Sequence, residues 1–301
     1  MNDYPLVYIV LVNYNGYELT KDCLVSLDAI KYINSKIIVI DNASTDSSAE
    51  KLSEMEGIDF IANGTNDGFV GGNNIGIKFA LERGAKYILL LNNDTIVEPD
   101  FLNELVLAME TDQKIGVTGC KIMNYYDKDR VWSAGGGICK WTKKTFQYGE
   151  GKRDDGSYDE AREVDFLSGC CLLIRREVIE KIGLLDNDYF MYYEDVDYCL
   201  RTKKAGFTVN YVPESVIWHK IGGSSNKSFM DYYRMRNFVL YLKKNYNFNQ
   251  YNLYIILFLT VMERLIRIIL RGVINTKSDN IKNRIYSLLN GFSTGMRTKK
   301  S

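Results

Sequence analysis

The stretch Leu89-Leu90-Leu91-Asn92-Asn93-Asp94 limits the possible folds more than any other part of the chain. A short aliphatic run with no polar face needs cover on both sides, as a strand inside a parallel sheet has. This run breaks off into two amides and a carboxylate. Ligands of open α/β sheets bind beyond the carboxyl ends of the strands, which would put Asp94 at a binding edge. Asn-Asp after a strand is also ordinary turn chemistry, and six residues do not decide between the two.

The pattern recurs upstream. Leu6 to Val12 is nearly all aliphatic and ends in Asn13-Tyr14-Asn15-Gly16. Lys36 to Ile40 ends in Asp41-Asn42-Ala43-Ser44-Thr45-Asp46, and Ile58 to Ile61 is followed by Asn63. Leu19, Cys23, Leu27 and Ile30 recur at roughly helical spacing after the first of these runs. Ser44, Thr45 and Asp46 suit the N-cap of a second helix. The glycine-rich Gly68-Phe69-Val70-Gly71-Gly72-Asn73-Asn74 leads into a helix expected from about Asn74 to Arg83, with Gly84 as its stop. Strands alternating with helices predict the α/β class, with a wound, mostly parallel sheet flanked by helices. Three strand tips ending in Asn13, Asp41 and Asp94 point to a nucleotide-like ligand.

Two common ways of holding a nucleotide are missing. The dinucleotide fingerprint needs Gly-x-Gly-x-x-Gly directly after the first strand, where this chain has Asn13-Tyr14-Asn15-Gly16. There is no Gly-Lys-Ser/Thr P-loop ending either. Gly68, Gly71 and Gly72 have no partner lysine, and suit close approach of backbone to a ligand or a neighbouring helix. A phosphate held through a metal at Asp94 fits better than one held in a glycine cradle.

Beyond a helix at Leu102–Glu110 and a strand at Ile115–Gly119, the alternation fades. Residues 124–162 read as loops and irregular antiparallel strands, a natural place to recognise a second substrate. Val164 to Ile174 regains strand character, Arg176 to Ile182 reads as a short helix, and Glu194-Asp195-Val196-Asp197 opens a helix running to Ala205-Gly206. Acids in a first turn suit the helix dipole without any further role. Phe207–Val212 and Val216–His219 read as two more strands, the second ending in the only histidine of the chain.

Charge divides the molecule. From Arg264 onward there are nine Lys/Arg against one acid, within a chain whose formal net charge is zero. The preceding 263 residues are therefore acidic by eight charges, which argues against a nucleic-acid partner. Tyr251 to Met262 is almost free of charge but shorter than the roughly 20 apolar residues a membrane span needs. Arg264, Arg267 and Arg271 form one stripe on the same helix. Such a helix can lie in a membrane interface, or pack on its own domain or a second subunit. The six cysteines show no Cys-x-x-Cys spacing and no disulfide framework. Met1-Asn2-Asp3 does not open a signal peptide, so a cytoplasmic setting is expected.

Taken in order, Val12-Asn13-Tyr14-Asn15-Gly16, Asp41 to Asp46, Gly68 to Asn74, Leu91-Asn92-Asn93-Asp94, Tyr193-Glu194-Asp195-Val196-Asp197 with Arg201, and His219 before Ser224 form an ordered set. Over about residues 5–240 the chain resembles family 2 glycosyltransferases of the GT-A fold, in the rhamnosyltransferase-like branch of cell-surface polysaccharide enzymes. The resemblance implies a glycosyltransferase domain over 1–240, with a nucleotide-binding half to about 120 and an acceptor half over 121–240. A basic amphipathic helical extension over 241–301 follows.

The resemblance also implies roles. Asp41 would hydrogen-bond the pyrimidine base, with Asn13 and Tyr14 beside it. Asn15, Asn42, Asn63, Gly71, Gly72, Asn73, Asn92 and Asn93 would complete the donor-binding set. Asp94 matches the last acid of an Asp-x-Asp motif whose first acid is here Asn92, and His219 would complete the metal site or contact the diphosphate. A hard cation, Mg²⁺ or Mn²⁺, would neutralise the leaving diphosphate. Asp195 would be the catalytic base, with Glu194 and Asp197 orienting it or capping the helix.

The implied partners are a nucleotide-diphosphate sugar, TDP-rhamnose or a UDP-sugar, and a cell-surface glycan or polyprenyl-linked acceptor at the inner face of the membrane. A homodimer is a further candidate. Polymerising relatives carry Gln-x-x-Arg-Trp, which this chain lacks, so transfer of a single sugar with inversion is expected. A sugar-phosphate nucleotidyltransferase would need a basic glycine-rich loop after the first strand, and Asn13–Gly16 is not one. A binding subunit without turnover would have no use for Asp195.

Overall fold

The computed structural model describes residues 4–220, 226–274 and 281–298. They fall into two compact units. One comprises Met1–Cys139, Lys144–Phe190 and Glu194–Ile221, and the other Lys140–Lys143, Met191–Tyr193 and Gly222–Ser301.

The first unit begins β1 (Val7–Asn13), α1 (Tyr17–Leu27), β2 (Ser35–Asp41), α2 (Ser48–Ser53), β3 (Asp59–Ala62), α3 (Gly68–Glu82) and β4 (Tyr87–Leu91). After these come β5 (Thr95–Val97), α4 (Phe101–Thr111), β6 (Ile115–Asn124), β7 (Val131–Ser133), β8 (Gly136–Ile138), β9 (Thr145–Gln147) and β10 (Arg162–Glu163). The unit closes with β11 (Cys171–Arg175), α5 (Arg176–Ile182), α6 (Glu194–Lys204) and β12 (Thr208–His219).

The main sheet runs β10-β12-β6-β11-β4-β1-β2-β3. β4, β1, β2 and β3 are parallel, β6 and β12 are parallel to each other, and β11 is antiparallel to both β4 and β6. The aliphatic runs behave as their composition demands: all of β4 is buried, as is β1 apart from Val12. Their side chains join Leu24, Leu27, Phe101 and Leu105 of α1 and α4 in a continuous core. Away from the tips, Arg175, the last residue of β11, is buried opposite Tyr87 of β4, donating to the carbonyl of Ile115, to Tyr87 and to Gln113.

Four local expectations shift. The glycine-rich segment is helix, not loop, because α3 begins at Gly68. Its glycines make room for a strand: a Cβ at Gly72 would lie 2.7 Å from Val12 Cγ1, and one at Gly76 2.3 Å from Val10 Cγ1. α2 begins at Ser48, later than Ser44 or Thr45 would set it, with Asp46 Oδ1 accepting from the Ser48 amide at 2.9 Å. β11 starts only at Cys171, because Ser168 to Cys170 turn toward Asp195. The two last strands are one, β12, whose pairing with β6 skips from Val212 to Val216 around Pro213, a residue unable to donate to a ladder.

The second unit is helical, with α7 (Lys227–Asn245), α8 (Gln250–Ile274) and α9 (Ile281–Arg297). Asn237 of α7 donates to the carbonyls of Met191 and Tyr192, at 2.7 and 2.8 Å. Those bonds hold Tyr192 and Tyr193 in consecutive left-handed conformations, φ +70° and +72°. Non-glycine residues rarely adopt that geometry. Gly291 and Gly295 let α9 lie against α7, since a Cβ at either would approach the carbonyl oxygen of Tyr232 or Arg236 to 2.3 or 2.7 Å.

Candidate active site

Asn13 and Asp41 are partners in the parallel register of β1 and β2, so their side chains leave the sheet as one rung. Asn13 Nδ2 donates to Asp41 Oδ2 at 2.8 Å and to Ser44 Oγ at 3.1 Å, while its Oδ1 accepts from Thr20 at 2.8 Å. Asp41 also receives the Ser44 hydroxyl on Oδ2 and the Ser44 amide on Oδ1, at 2.7 and 2.9 Å. Asn15, with φ +51°, ties the two loops together: its amide donates to Ser44 Oγ and its Oδ1 accepts from Thr45. Tyr14 projects from this frame with 49% of its surface exposed.

Asn42 is buried. Its amide group donates to Asn66 Oδ1 and the Gly68 carbonyl, and its Oδ1 accepts from Asn63 Nδ2 and the Asp67 amide. Asn63 Nδ2 also reaches Thr65 O and Asp67 Oδ2. Asn73, equally buried, donates back to the Phe69 carbonyl within α3, beside Gly71 and Gly72. The tips of β1 and β2 thus form a network whose side chains mostly satisfy one another.

Asp94 is held differently. Asn92 is fixed through its main chain, its amide donating to Cys170 O and its carbonyl accepting from Thr95, and Asn93 donates to Thr20. β5 then pairs with the end of β12, His219 opposite Thr95, and the Lys220 amide donates to the Asp94 carbonyl at 2.9 Å. This places His219 Nε2 3.1 Å from Asp94 Oδ1. The approach is not a hydrogen bond: Asp94 Oδ1 is buried with no donor aimed at it, and His219 Nδ1 is likewise without a partner. Trp132 packs edge-on against the imidazole at 4.7 Å.

A buried carboxylate oxygen without a donor is costly, and a cation beside it would offset that cost. Two ligands in adjacent positions of an octahedral site with bonds of about 2.1 Å lie about 3 Å apart. The Asp94–His219 pair fits a hard divalent cation on that ground. Among the described residues no third His, Cys, Asp or Glu joins them.

The acidic segment Glu194 to Asp197 opens α6. Asp195 Oδ2 accepts from the Gly169 amide at 3.0 Å, and Oδ1 from the Val196 amide at 2.8 Å. Burial holds this carboxyl above the ordinary aspartate range, against the opposing pull of those amides. Glu194 is buried, and its Oε2 has no partner. Desolvation, with help from Asp195 and Asp197, pushes it well above the ordinary glutamate range. Asp197 pairs with Arg201 at 2.8 Å, and Arg201 donates to the carbonyls of Ile182 and Leu184.

The N-terminal end of α3 links these groups. Gly68 O accepts from Asn42, the Val70 amide donates to Phe190 O, and Phe69 packs against Gly169 beside Asp195. Thr20, Ser44 and Gly169 were not marked as site residues by the sequence. Ser44 reads there as a helix cap, and nothing in the pattern around Thr20 or Gly169 distinguishes either.

The family model for glycosyl transferase family 2 matches residues 8–183, which carry the tips Asn13, Asp41 and Asp94. The chain belongs to this family. It is a glycosyltransferase with a GT-A fold, and nucleotide-sugar transfer is its chemistry. It is 29% identical over 255 residues to the dTDP-rhamnosyl transferase RfbF of Shigella flexneri, covering 80% of this chain and 81% of RfbF. It is also 29% identical over 221 residues to the rhamnosyltransferase WbbL of Escherichia coli K12, covering 69% and 81%. Among solved structures, GalNAc-T7 with UDP, GalNAc and Mn²⁺ superposes with a TM-score of 0.64 at 17% identity. That match covers 80% of the glycosyltransferase and 49% of GalNAc-T7.

Proposed function

We propose that this glycosyltransferase moves one sugar, with inversion, from a nucleotide diphosphate to an acceptor hydroxyl, and depends on a divalent metal. The observation that carries the reading is Asp94 Oδ1, buried, without a donor, and 3.1 Å from His219 Nε2. The dTDP-rhamnosyl relative makes TDP-rhamnose the first donor to test, with UDP-sugars next. A cell-surface glycan or a polyprenyl-linked sugar is the proposed acceptor, and a cytoplasmic setting belongs to the same reading. We assign donor binding to the half ending near residue 120 and acceptor binding to about 121–240.

Within that reading the roles divide by geometry. Asp41 Oδ1 accepts one amide and keeps a lone pair for an N–H of the base, with the exposed ring of Tyr14 alongside. Asn15 shapes the loop, Asn42 and Asn63 brace it, Asn73 is bonded within α3, and Gly71 and Gly72 belong to that helix. Asn92 and Asn93 set the turn that presents Asp94. Asp94 and His219 would hold Mg²⁺ or Mn²⁺, which when bound neutralises charge on the diphosphate.

Asp195 takes the proton of the acceptor hydroxyl. The acceptor oxygen bonds to the anomeric carbon as the carbon–oxygen bond to the diphosphate breaks, and the nucleotide diphosphate leaves. A carboxylate with a raised pKa is a stronger base than an ordinary aspartate, and such positioned bases are worth about 10²–10⁴-fold. Glu194 lies beside it as a positioning residue.

A thermal-shift series with TDP, UDP, TDP-rhamnose and UDP-sugars, with and without Mn²⁺, tests the reading. Ligands that bind only the folded chain raise its stability as RT ln(1 + [L]/Kd). A rise that needs both nucleotide and Mn²⁺ is expected. No response to any of these ligands would overturn the reading.

A further inference from the structure

The helical unit has a surface that sugar transfer does not explain. α8 buries Leu257, Thr260 and Ile268 on one side. Its opposite side is apolar too. Tyr251, Ile255, Phe258, Met262, Ile266 and Leu270 recur every three to four residues along one face. All six are exposed, Tyr251 to 75% and Phe258 to 65%. A 25-residue helix is about 37 Å long, so this apolar stripe far exceeds the scattered apolar side chains of an ordinary surface. Among the described residues no helix is long and apolar enough to cross a membrane.

The basic stripe expected on the same helix does not occupy that face. Arg264 is partly buried, Arg267 pairs with Glu263 at 2.6 Å, and the side chain of Arg271 lies outside the described residues. The positive charge belongs to the whole unit. Counted over its sequence, the helical unit holds sixteen Lys/Arg against three acids, leaving 22 against 35 in the sheet unit. The helical unit also carries Trp141, 86% exposed and flanked by Lys140 and Lys143.

We infer that the helical unit docks on an anionic lipid surface, with the exposed face of α8 in the interfacial layer. An apolar face on a unit of strongly positive net charge gives the two signals that stable peripheral binding requires, and an exposed Trp is a side chain suited to the headgroup region. Charge selects this occupant over a second copy. Pairing two α8 faces would bring together two units of net charge +13, whereas an anionic leaflet attracts that charge. The inference uses nothing of the donor site and stands apart from the proposed transfer reaction.

The test is co-sedimentation of the full chain with phosphatidylcholine vesicles, with and without one-third phosphatidylglycerol. Binding to the anionic vesicles is expected, weakening with salt. The double variant Phe258→Glu/Ile266→Glu should lower partition about tenfold or more, with far-UV circular dichroism and Tm unchanged because both side chains are exposed. Equal partition of the variant, or no binding to either vesicle, would overturn the inference. A dimer in light scattering that the same variant dissolves would overturn it in favour of a second copy.

Discussion

Two neighbouring sets of strand tips in the sheet unit solve opposite problems. At β1 and β2, the polar side chains of Asn13, Asp41 and Ser44 bond to one another, and Asn42 uses both amide protons and its oxygen on the next loop. At β4 and β12, Asp94 Oδ1 and His219 Nδ1 are buried and bonded to nothing. The first set is complete as folded and offers a ready shape. The second is held in place by its backbone and left electrostatically unfinished. A polar residue at a sheet edge can therefore serve the fold or the ligand, and its hydrogen-bond inventory tells which.

Asp195, the proposed base, marks the functional extreme of that comparison. Asp195→Asn should lower transfer about 10²–10⁴-fold while keeping the Mn²⁺-dependent thermal shift with the donor nucleotide. Normal turnover by this variant would remove Asp195 from the role of base. At the filled tips the damage should fall on the fold. Asn42→Ala leaves several buried groups without partners and should cost about 2–4 kcal/mol in urea unfolding with no ligand present.

At the open tip the damage should fall on binding alone. Asp94→Ala should abolish the Mn²⁺-dependent shift, measured by calorimetry, yet leave unliganded stability within about 1 kcal/mol. If Asp94→Ala were to unfold the chain while Asn42→Ala did not, the contrast between the tips would be reversed.

The smallest effect concerns Glu194, the other buried carboxyl with an oxygen lacking a partner. Its pKa is raised in the folded state, so the folded chain binds its proton more tightly than the unfolded chain does. The stability this gives is fully present below the unfolded value, about 4.3, and is lost as pH rises through the folded value. Glu194→Gln should therefore raise Tm relative to the parent at neutral pH, and the difference should vanish near pH 4. A constant offset across that range would mean that Glu194 titrates as an exposed acid.

The frame of this arrangement was readable from the chain. Short uncharged runs such as Val7–Leu11 and Leu89–Leu91, bounded by turn residues, fit covered strands, and the polar residues that end them mark one edge. What escaped the reading depends on contacts between distant segments. Gly72 looks like a residue before the helix until Val12 is known to press on it, and Ser44 looks like a cap until Asn13 and Asp41 claim its hydroxyl. The turn at Gly169 is set by a carboxylate 26 positions away. His219 could be linked to Asp94 only through resemblance to a family, because its local pattern is that of any strand end.

The pairing of β5 with β12 also has a consequence in time. Asp94 and His219 are 125 residues apart in sequence, and a ribosome adding about 5–20 residues per second needs on the order of ten seconds to cover that distance. Throughout that interval the three-residue strand after Asp94 lacks its partner, and the carboxylate lacks the imidazole. A ligand held by both residues, as proposed, would meet its site only after β12 has been laid down, so its occupancy would report that synthesis has passed that strand.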